Sequence, residues 1–438
     1  MSAISLQPAI ETVRQASALR IQGRVVRAIG LSLAVEGLSL PLGGLCFIYP
    51  GSGTTRITAE VVGFQENLLI LMPYDDVDGV RPGSPVVPAG RPFLVPVGDE
   101  LLGRVIDGLG RPLDGDRPPR IRRWRPLGAP TPNPMERKPI DQVFVTGTRA
   151  IDGLLTLGQG QRLGIFAGSG VGKSTLLGMI ARHSHADVVV IALVGERGRE
   201  VQEFIEHTLG PEGLARAVVV VATSDRPALQ RIKAAWVATA IAEDFRDRGQ
   251  HVALMMDSVT RFAMAQREVG LAAGEPPVAK GYTPSVYALL PRLLERAGTG
   301  PRGAITGLYT VLVEGDDHTD PIADTVRSIL DGHVWLSREL AHERHFPSID
   351  VLASVSRLMS HLVSTEQRKR AGQALEALAT YRRMRDLIAV GAYSPGSQPD
   401  VDRSIRLLPR INAFLRQDPD DVSPWETTLA DLAALLEE

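Results

Sequence analysis

Apolar positions along the chain fall into four successive textures. Over residues 1–21, Leu6, Ile10, Val13, Ala16 and Leu19 recur at spacings of three and four, the stripe of an amphipathic helix. Such a helix packs on its own domain or docks a partner; ahead of a separate domain it has few internal neighbours. From 22 to about 95 the runs become short and β-rich: Gly23–Ala28, Arg56–Gly63, Leu68–Met72 and Ser84–Val87, with turns at Pro50-Gly-Ser-Gly53 and Arg81-Pro-Gly83. Closely spaced strands with strong turn signals predict a small antiparallel barrel over 22–95.

A proline-rich connector, Arg117–Pro139, follows. Between about 150 and 315 the runs Leu163–Ala167, Val188–Val194, Ala217–Ala222, Val252–Met256 and Ile305–Val313 are continuously apolar. Strands of that kind are buried on both faces, as in a parallel sheet covered by helices. The stretches Ser174–His183, Glu200–Leu209 and Pro227–Asp247 have the length and composition of crossover helices. Beyond about 365 the pattern is helical, over Gln367–Leu387, Asp402–Arg416 and Pro424–Leu436, broken by the loop Gly391–Pro399. The expected division is an N-terminal helix (1–21), a barrel (22–95), an α/β domain (96–365) and a C-terminal helical domain (366–438).

Composition narrows the class without choosing a function. The chain of 438 residues is 44% apolar and 22% charged, ordinary values for a globular protein. A net charge of −2 gives no electrostatic case for nucleic acid as the main partner. The basic stretch Arg368–Arg370 with Arg382, Arg383 and Arg385 is interspersed with Glu366, Glu376 and Asp386, which suits a solvated helix face. Cys46 is the lone cysteine, so disulfide scaffolds and cysteine zinc sites are excluded. His183/His185 and His342/His345 have no evident third ligand, which argues against a transition-metal site. No run approaches the length needed to cross a bilayer, and no signal-peptide pattern opens the chain. A cytoplasmic protein is expected.

The chemistry lies where three apolar runs end. Leu163–Ala167 gives way to Gly168-Ser-Gly-Val-Gly-Lys-Ser-Thr175. Gly168, Gly170 and Gly172 let the backbone curl so that successive N–H groups, those of Ser169 and Val171 among them, face phosphate oxygens. Lys173 supplies a point charge, the Ser174 hydroxyl suits Mg²⁺, and the helix that starts there favours anions. Asp257 ends the run Val252–Met256 at the same edge of the predicted sheet, the place for an acid that holds Mg²⁺; capping the next helix is the plainer alternative. Glu196 ends Val188–Gly195 and is placed to polarise an attacking water, a surface bridge to Arg197 or Arg199 being the alternative. Arg197 has the reach to contact the γ-phosphate. A nucleoside triphosphate hydrolase also gains from a cation supplied by a neighbouring subunit. Arg357 is the best candidate, although spacing alone does not show it.

Long ungapped motifs then identify a relationship. Ala167-Gly-Ser-Gly-Val-Gly-Lys-Ser-Thr175, Gly195-Glu-Arg-Gly-Arg-Glu-Val201, Met256-Asp-Ser-Val-Thr-Arg-Phe-Ala263, Gly281-Tyr-Thr-Pro-Ser-Val286, Glu314-Gly-Asp-Asp317, Asp320-Pro-Ile-Ala-Asp324 and Ser328-Ile-Leu-Asp-Gly-His333 resemble the type III protein-export ATPases. The likeness runs from about residue 22 to the C-terminus and is strongest to the flagellar export ATPase. Ala167 stands where the phosphate-loop pattern usually begins with glycine, a departure these ATPases tolerate.

The resemblance implies a fold, a reaction and partners. The fold is that of the rotary ATP synthase catalytic subunit: a β-barrel, a RecA-like P-loop ATPase core and a helical C-terminal domain. Arg357 matches the inter-subunit arginine finger, which implies a homo-hexamer. Phe346 matches the aromatic residue that stacks on adenine, and Tyr393 forms the other wall. The N-terminal helix matches the segment that binds a dimeric regulator resembling the peripheral stalk of ATP synthase. The ring pore is expected to receive a small coiled-coil stalk protein. The implied role couples ATP hydrolysis to delivery and unfolding of flagellar export substrates, and to chaperone release, at a gate on the inner membrane.

Three rivals share parts of this pattern. An injectisome ATPase would be separated by gene neighbourhood. A rotary ATP synthase catalytic subunit requires a non-catalytic partner, and here Glu196 is the acid that non-catalytic subunits lack. An RNA-dependent helicase needs an aromatic and basic platform in the barrel, and residues 22–95 offer little beyond Phe47, Tyr49, Phe64 and Tyr74.

Overall fold

The computed structural model describes residues 21–51, 56–115, 118–313 and 320–437. The predicted docking helix, up to residue 20, and the motif Glu314-Gly-Asp-Asp317 lie outside the described residues. The chain forms two compact units: residues up to Phe93 with Val269–Glu275, and Leu94–Glu268 with Pro276–Glu438.

In the first unit six strands close into a barrel: β1 (Gly23–Ile29), β2 (Ser32–Glu36), β3 (Leu45–Ile48), β4 (Ile57–Gln65), β5 (Leu68–Pro73) and β6 (Pro85–Pro88), in the order β1-β2-β5-β4-β3-β6. Alternation produces it. Cys46 and Ile48 on β3, and Ile57, Ala59 and Val61 on β4, point inward while their neighbours face out. With Val25, Val35, Leu71 and Val86 they form one core. Burial pushes the Cys46 thiol up to about 11, so it is no nucleophile at neutral pH. Of the barrel aromatics, Tyr74 is fully buried and donates to Glu60, Arg56 covers the Phe47 ring at 4.1 Å, and Phe64 is exposed.

The second unit is built on a largely parallel sheet, as the continuous apolar runs predict. Its strands are β7 (Arg104–Asp107), β8 (Arg162–Ala167), β9 (Val188–Val194), β10 (Ala217–Ala222), β11 (His251–Asp257), β12 (Ala304–Leu312), β13 (Gly332–Leu336) and β14 (Val355–Ser356). They run in the order β14-β13-β8-β12-β11-β9-β10-β7, with Gly298–Thr299 paired to β12. All neighbours from β13 to β7 are parallel, and β14 is antiparallel. Every residue of β9, β10 and β11 is buried.

Two sequence expectations are refined. The helix expected over Glu200–Leu209 is an α-helical segment, Gly198–Glu203, followed by a wider π-helical one, Phe204–Leu209. The proline-rich stretch is more than a connector. Within it Arg123–Pro126 pairs with Leu94–Val97, and Arg125 bonds Asp247 at 2.7 Å and Glu243 at 3.2 Å.

The helices Thr365–Ala389, Pro399–Leu415 and Trp425–Leu436 close the unit. Ser364 caps the first by accepting from Gln367 N–H at 3.1 Å. Several of its basic residues are paired, Arg370 with Glu366, Arg382 with Asp350 and Arg385 with Glu339. These helices share one hydrophobic core with the sheet, in which Phe414, Leu432 and Leu435 join Ile151, Leu154 and Leu163. At Gly153 a Cβ would meet the Phe414 ring at 2.7 Å, so glycine permits that close packing.

His251, at the start of β11, carries a pH prediction. It is buried, lies edge-on to Phe144 and places Nε2 2.8 Å from Thr306 Oγ1. Burial pushes its pKa from 6.5 down to about 4, only partly offset by the His185 backbone and Asp187. Across that window the unfolded chain takes up a proton that the folded chain refuses. Stability therefore falls as pH drops from 6.5 to about 4, by up to about 3 kcal/mol. Urea midpoints over this range should fall less steeply for His251→Gln than for the wild type; equal slopes would contradict the assignment.

Candidate nucleotide site

The carboxyl ends of β8, β9, β11 and β12 converge on one cleft of about 590 Å³, in the size range of ligand sites. The phosphate loop leaves β8 after Ala167. Gly170 and Gly172 adopt left-handed backbone, φ 78° and 91°, which glycine takes without strain. Gly172 precedes the helix Lys173–His183, whose free first N–H groups favour an anion. Val171 is buried beneath the loop, and its carbonyl accepts from the buried Ser348 hydroxyl at 2.6 Å.

The three predicted charged groups meet here. Lys173 Nζ pairs with Asp257 Oδ1 and lies 3.7 Å from Glu196 Oε1. Asp257 is fixed by the buried Thr310 hydroxyl, which donates to Oδ1 at 2.8 Å. Neither alternative reading of the acids describes what is seen: Asp257 faces the lysine, and Glu196 stays mostly buried while Arg197 bonds Glu200 at 3.5 Å. Burial pushes the Glu196 carboxyl up to about 7; Asp257 adds to the rise, and Lys173 and Arg261 oppose it. Its Oε1 is buried with no hydrogen-bond partner. A carboxylate with a free lone pair, held near neutrality in a cleft, is equipped to accept a proton.

Ser169, Ser174, Thr175 and Arg197 line the same cleft with Gly168, Gly170, Gly172, Lys173 and Glu196. Phe346 is half-exposed, and its ring lies against Gly172, where a Cβ would sit 3.6 Å from it. Tyr393 does not line the cleft; its hydroxyl donates to Gln398 O and Asp402 Oδ1. Arg357 follows β14, and its N–H donates to Asp331 O at 3.1 Å. That anchor adjoins Gly332, at the amino end of β13, whereas the phosphate loop leaves the sheet level with Leu336.

Sequence reasoning missed several residues of the site. Arg261 and Arg338 line the cleft. Gln417, buried after the second C-terminal helix, donates its N–H to Phe346 O at 2.9 Å, while its side chain accepts from Arg149 N–H and donates to Gly147 O and Asp421 O. Arg261 lies in a quoted motif, in the first turn of the helix Val259–Ala272 that follows Asp257, so the motif itself was the usable signal. Gln417 left none.

The donor set suits a nucleotide with a hard cation. A glycine loop with open space at Gly170, a hydroxyl at Ser174 and a carboxylate at Asp257 offer the oxygen ligands that Mg²⁺ prefers. Among the described residues no group of three histidine, cysteine or acidic side chains is placed to hold a metal ion.

Comparison with known proteins agrees with this geometry. Residues 25–90 match the ATP synthase alpha/beta family β-barrel domain, 147–356 the nucleotide-binding domain of the same family, and 363–434 the T3SS EscN ATPase C-terminal domain. A flagellum-specific ATP synthase from Bacillus subtilis is 53% identical over 98% of both chains. A type 3 secretion system ATPase from Xanthomonas euvesicatoria is 52% identical over 96% of this chain and 95% of its own. The structure of the assembled ATPase EscN from enteropathogenic E. coli superposes with a TM-score of 0.90 at 48% identity, covering 95% of this chain and all of that one. A second structure, of EscN with its central stalk EscO, gives 0.88 at 47% identity over 95% of this chain and all of that one. The chain belongs to the family of flagellum-specific ATP synthases and type 3 secretion system ATPases, and it is an ATPase.

Proposed function

We propose that this chain assembles into a homo-hexameric ring that hydrolyses ATP, with Mg²⁺, to drive export of flagellar proteins through a type III apparatus. The observation that carries the ring is the place of Arg357. Its backbone is tied to Asp331, five residues before the Leu336 level at which the phosphate loop leaves the sheet. That is roughly 16 Å of strand, and an extended arginine side chain reaches roughly 7 Å. Arg357 therefore cannot serve its own site, which supports its use at a neighbour's.

In this reading the loop Gly168–Thr175 and Lys173 hold the phosphates, and Phe346, whose ring lies against Gly172, flanks the adenine. Ser174 and Asp257 would hold Mg²⁺, whose charge offsets that on the outer phosphate oxygens when it is bound. Glu196 takes a proton from the attacking water. Arg197 and the neighbour's Arg357 stabilise charge on the γ-phosphate. Among the described residues no helix is long and apolar enough to cross a membrane, in keeping with cytoplasmic work at an inner-membrane export gate, on export substrates and their chaperones. The EscN–EscO complex supports a coiled-coil stalk in the ring pore, and the stripe at Leu6–Leu19 supports a dimeric stalk-like regulator at the N-terminal helix. Relatives of both names match equally well, so service to an injectisome is the second reading; adjoining motor, rod and hook genes favour the flagellum, and adjoining needle and translocator genes overturn it.

Specific ATPase activity of the purified chain should rise cooperatively with protein concentration, in step with ring formation on sizing and further with the stalk protein. Full activity from a chain that stays monomeric would remove the ring.

A further inference from the structure

The exposed Arg357 side chain makes no hydrogen bond or ion pair among the described residues, so its aim is set by its backbone. Ordinary sheet pairing fixes that backbone weakly, because β14 has two residues and pairs only Val355 with His333 and Ser356 with Gly332. Gly332 allows even this contact, since a Cβ there would collide with the Val355 carbonyl.

A buried side chain supplies the missing restraint. Gln161 is wholly buried and immediately precedes β8. Its Nε2 donates to Asp331 O at 3.2 Å and to Ser356 Oγ at 3.1 Å, and its Oε1 accepts from Gly158 N–H at 2.9 Å. Asp331 O is the acceptor that also holds Arg357 N–H, and Ser356 is the residue before Arg357. The Ser356 hydroxyl passes its own proton to Thr156 O at 2.8 Å. Asp331 is locked in turn: its carboxylate accepts from Arg162 N–H at 3.0 Å and from the Arg162 guanidinium, and its N–H donates to Arg162 O. One amide thus grips both sides of the point from which Arg357 departs.

We propose that Gln161, acting through Asp331 and Ser356, is the positioning residue of Arg357. The strand β8 then serves two sites. Its carboxyl end delivers the phosphate loop to the subunit's own cleft, and its amino end aims the arginine sent to the next subunit. This rests on the reading that Arg357 works at a neighbour's site. Since misplacing a catalytic group by about 1 Å costs on the order of 10²-fold, Gln161→Leu should lower ring kcat at least tenfold. Binding of a fluorescent ATP analogue to the same protein should stay within about twofold, because the phosphate loop keeps all its contacts.

Mixed rings separate aiming from general damage. A Gln161→Leu subunit has a sound cleft and a misdirected arginine, whereas a Glu196→Gln subunit has a dead cleft and a sound arginine. Co-assembled, they should exceed the summed activity of the separate variants severalfold. Arg357→Ala mixed with Glu196→Gln is the control. If the control fails to complement, the neighbouring-subunit reading falls, and the inference with it. If the control complements and the Gln161→Leu mixture does not exceed the sum, the positioning role alone is overturned. Ser356→Ala, which removes one of the two grips without opening a large cavity, enters the same mixtures with the same two outcomes if Gln161→Leu does not assemble.

Discussion

Replacing Arg357 with alanine should lower ATP turnover by the assembled ring by 10³-fold or more, with no matching loss of fold or of nucleotide binding. The reason is location. The guanidinium is exposed and makes no ion pair among the described residues, so removing it should shift stability by no more than about 0.5 kcal/mol. It stands at the end of the sheet opposite its own phosphate loop, so affinity measured on unassembled protein should not change. The barrier rises because the γ-phosphate charge that builds in the transition state loses a cation no water molecule can replace. Steady-state turnover of the ring, thermal melting and nucleotide titration together decide it. Near-normal turnover, or a loss of binding as large as the loss of rate, would defeat the assignment.

Glu196→Gln should abolish most hydrolysis, on the order of 10²–10⁴-fold, while ATP still binds. The substitution keeps shape and removes a charge whose burial beside Asp257 is already unfavourable, as the upward push on its carboxyl records. It should therefore not destabilise the protein, and an anionic ligand should bind at least as tightly. Lys173→Ala should behave in the opposite way, weakening binding itself, because it removes the cation that lies between Glu196 and Asp257. Single-turnover hydrolysis and equilibrium binding on the two variants separate the roles. Near-wild-type turnover by Glu196→Gln would remove it as the base.

Sequence alone revealed the parts of the site that are local in the chain. The phosphate loop is eight consecutive residues, and Glu196 and Asp257 each end an apolar run whose length shows that it is a buried strand. The short strands were harder to read. Arg104–Asp107, at one edge of the sheet, and Gly332–Leu336, next to the other, are short and partly polar, and such a strand is recognised by what it pairs with. Arg357 was named from resemblance because its meaning depends on which end of β13 it joins. Gln161 and Gln417 were invisible for the same reason: each has partners some 170 to 270 positions away, and a buried glutamine has no periodicity to betray it. The wide-wound Phe204–Leu209 segment likewise has an ordinary helical composition.

The shared core beneath the C-terminal helices bears on how the protein comes apart. Residues 147–356 and 363–434 match two separate family descriptions, yet Phe414 fills the space over Gly153 and Gln417 pins Phe346 and Gly147 from the far side of that boundary. A chain cut at the boundary would keep every phosphate-binding residue and still expose the apolar floor of its own nucleotide domain. The unit that sequence similarity marks out and the unit that melts are therefore different sizes. The helices are part of what makes the nucleotide domain a folded object.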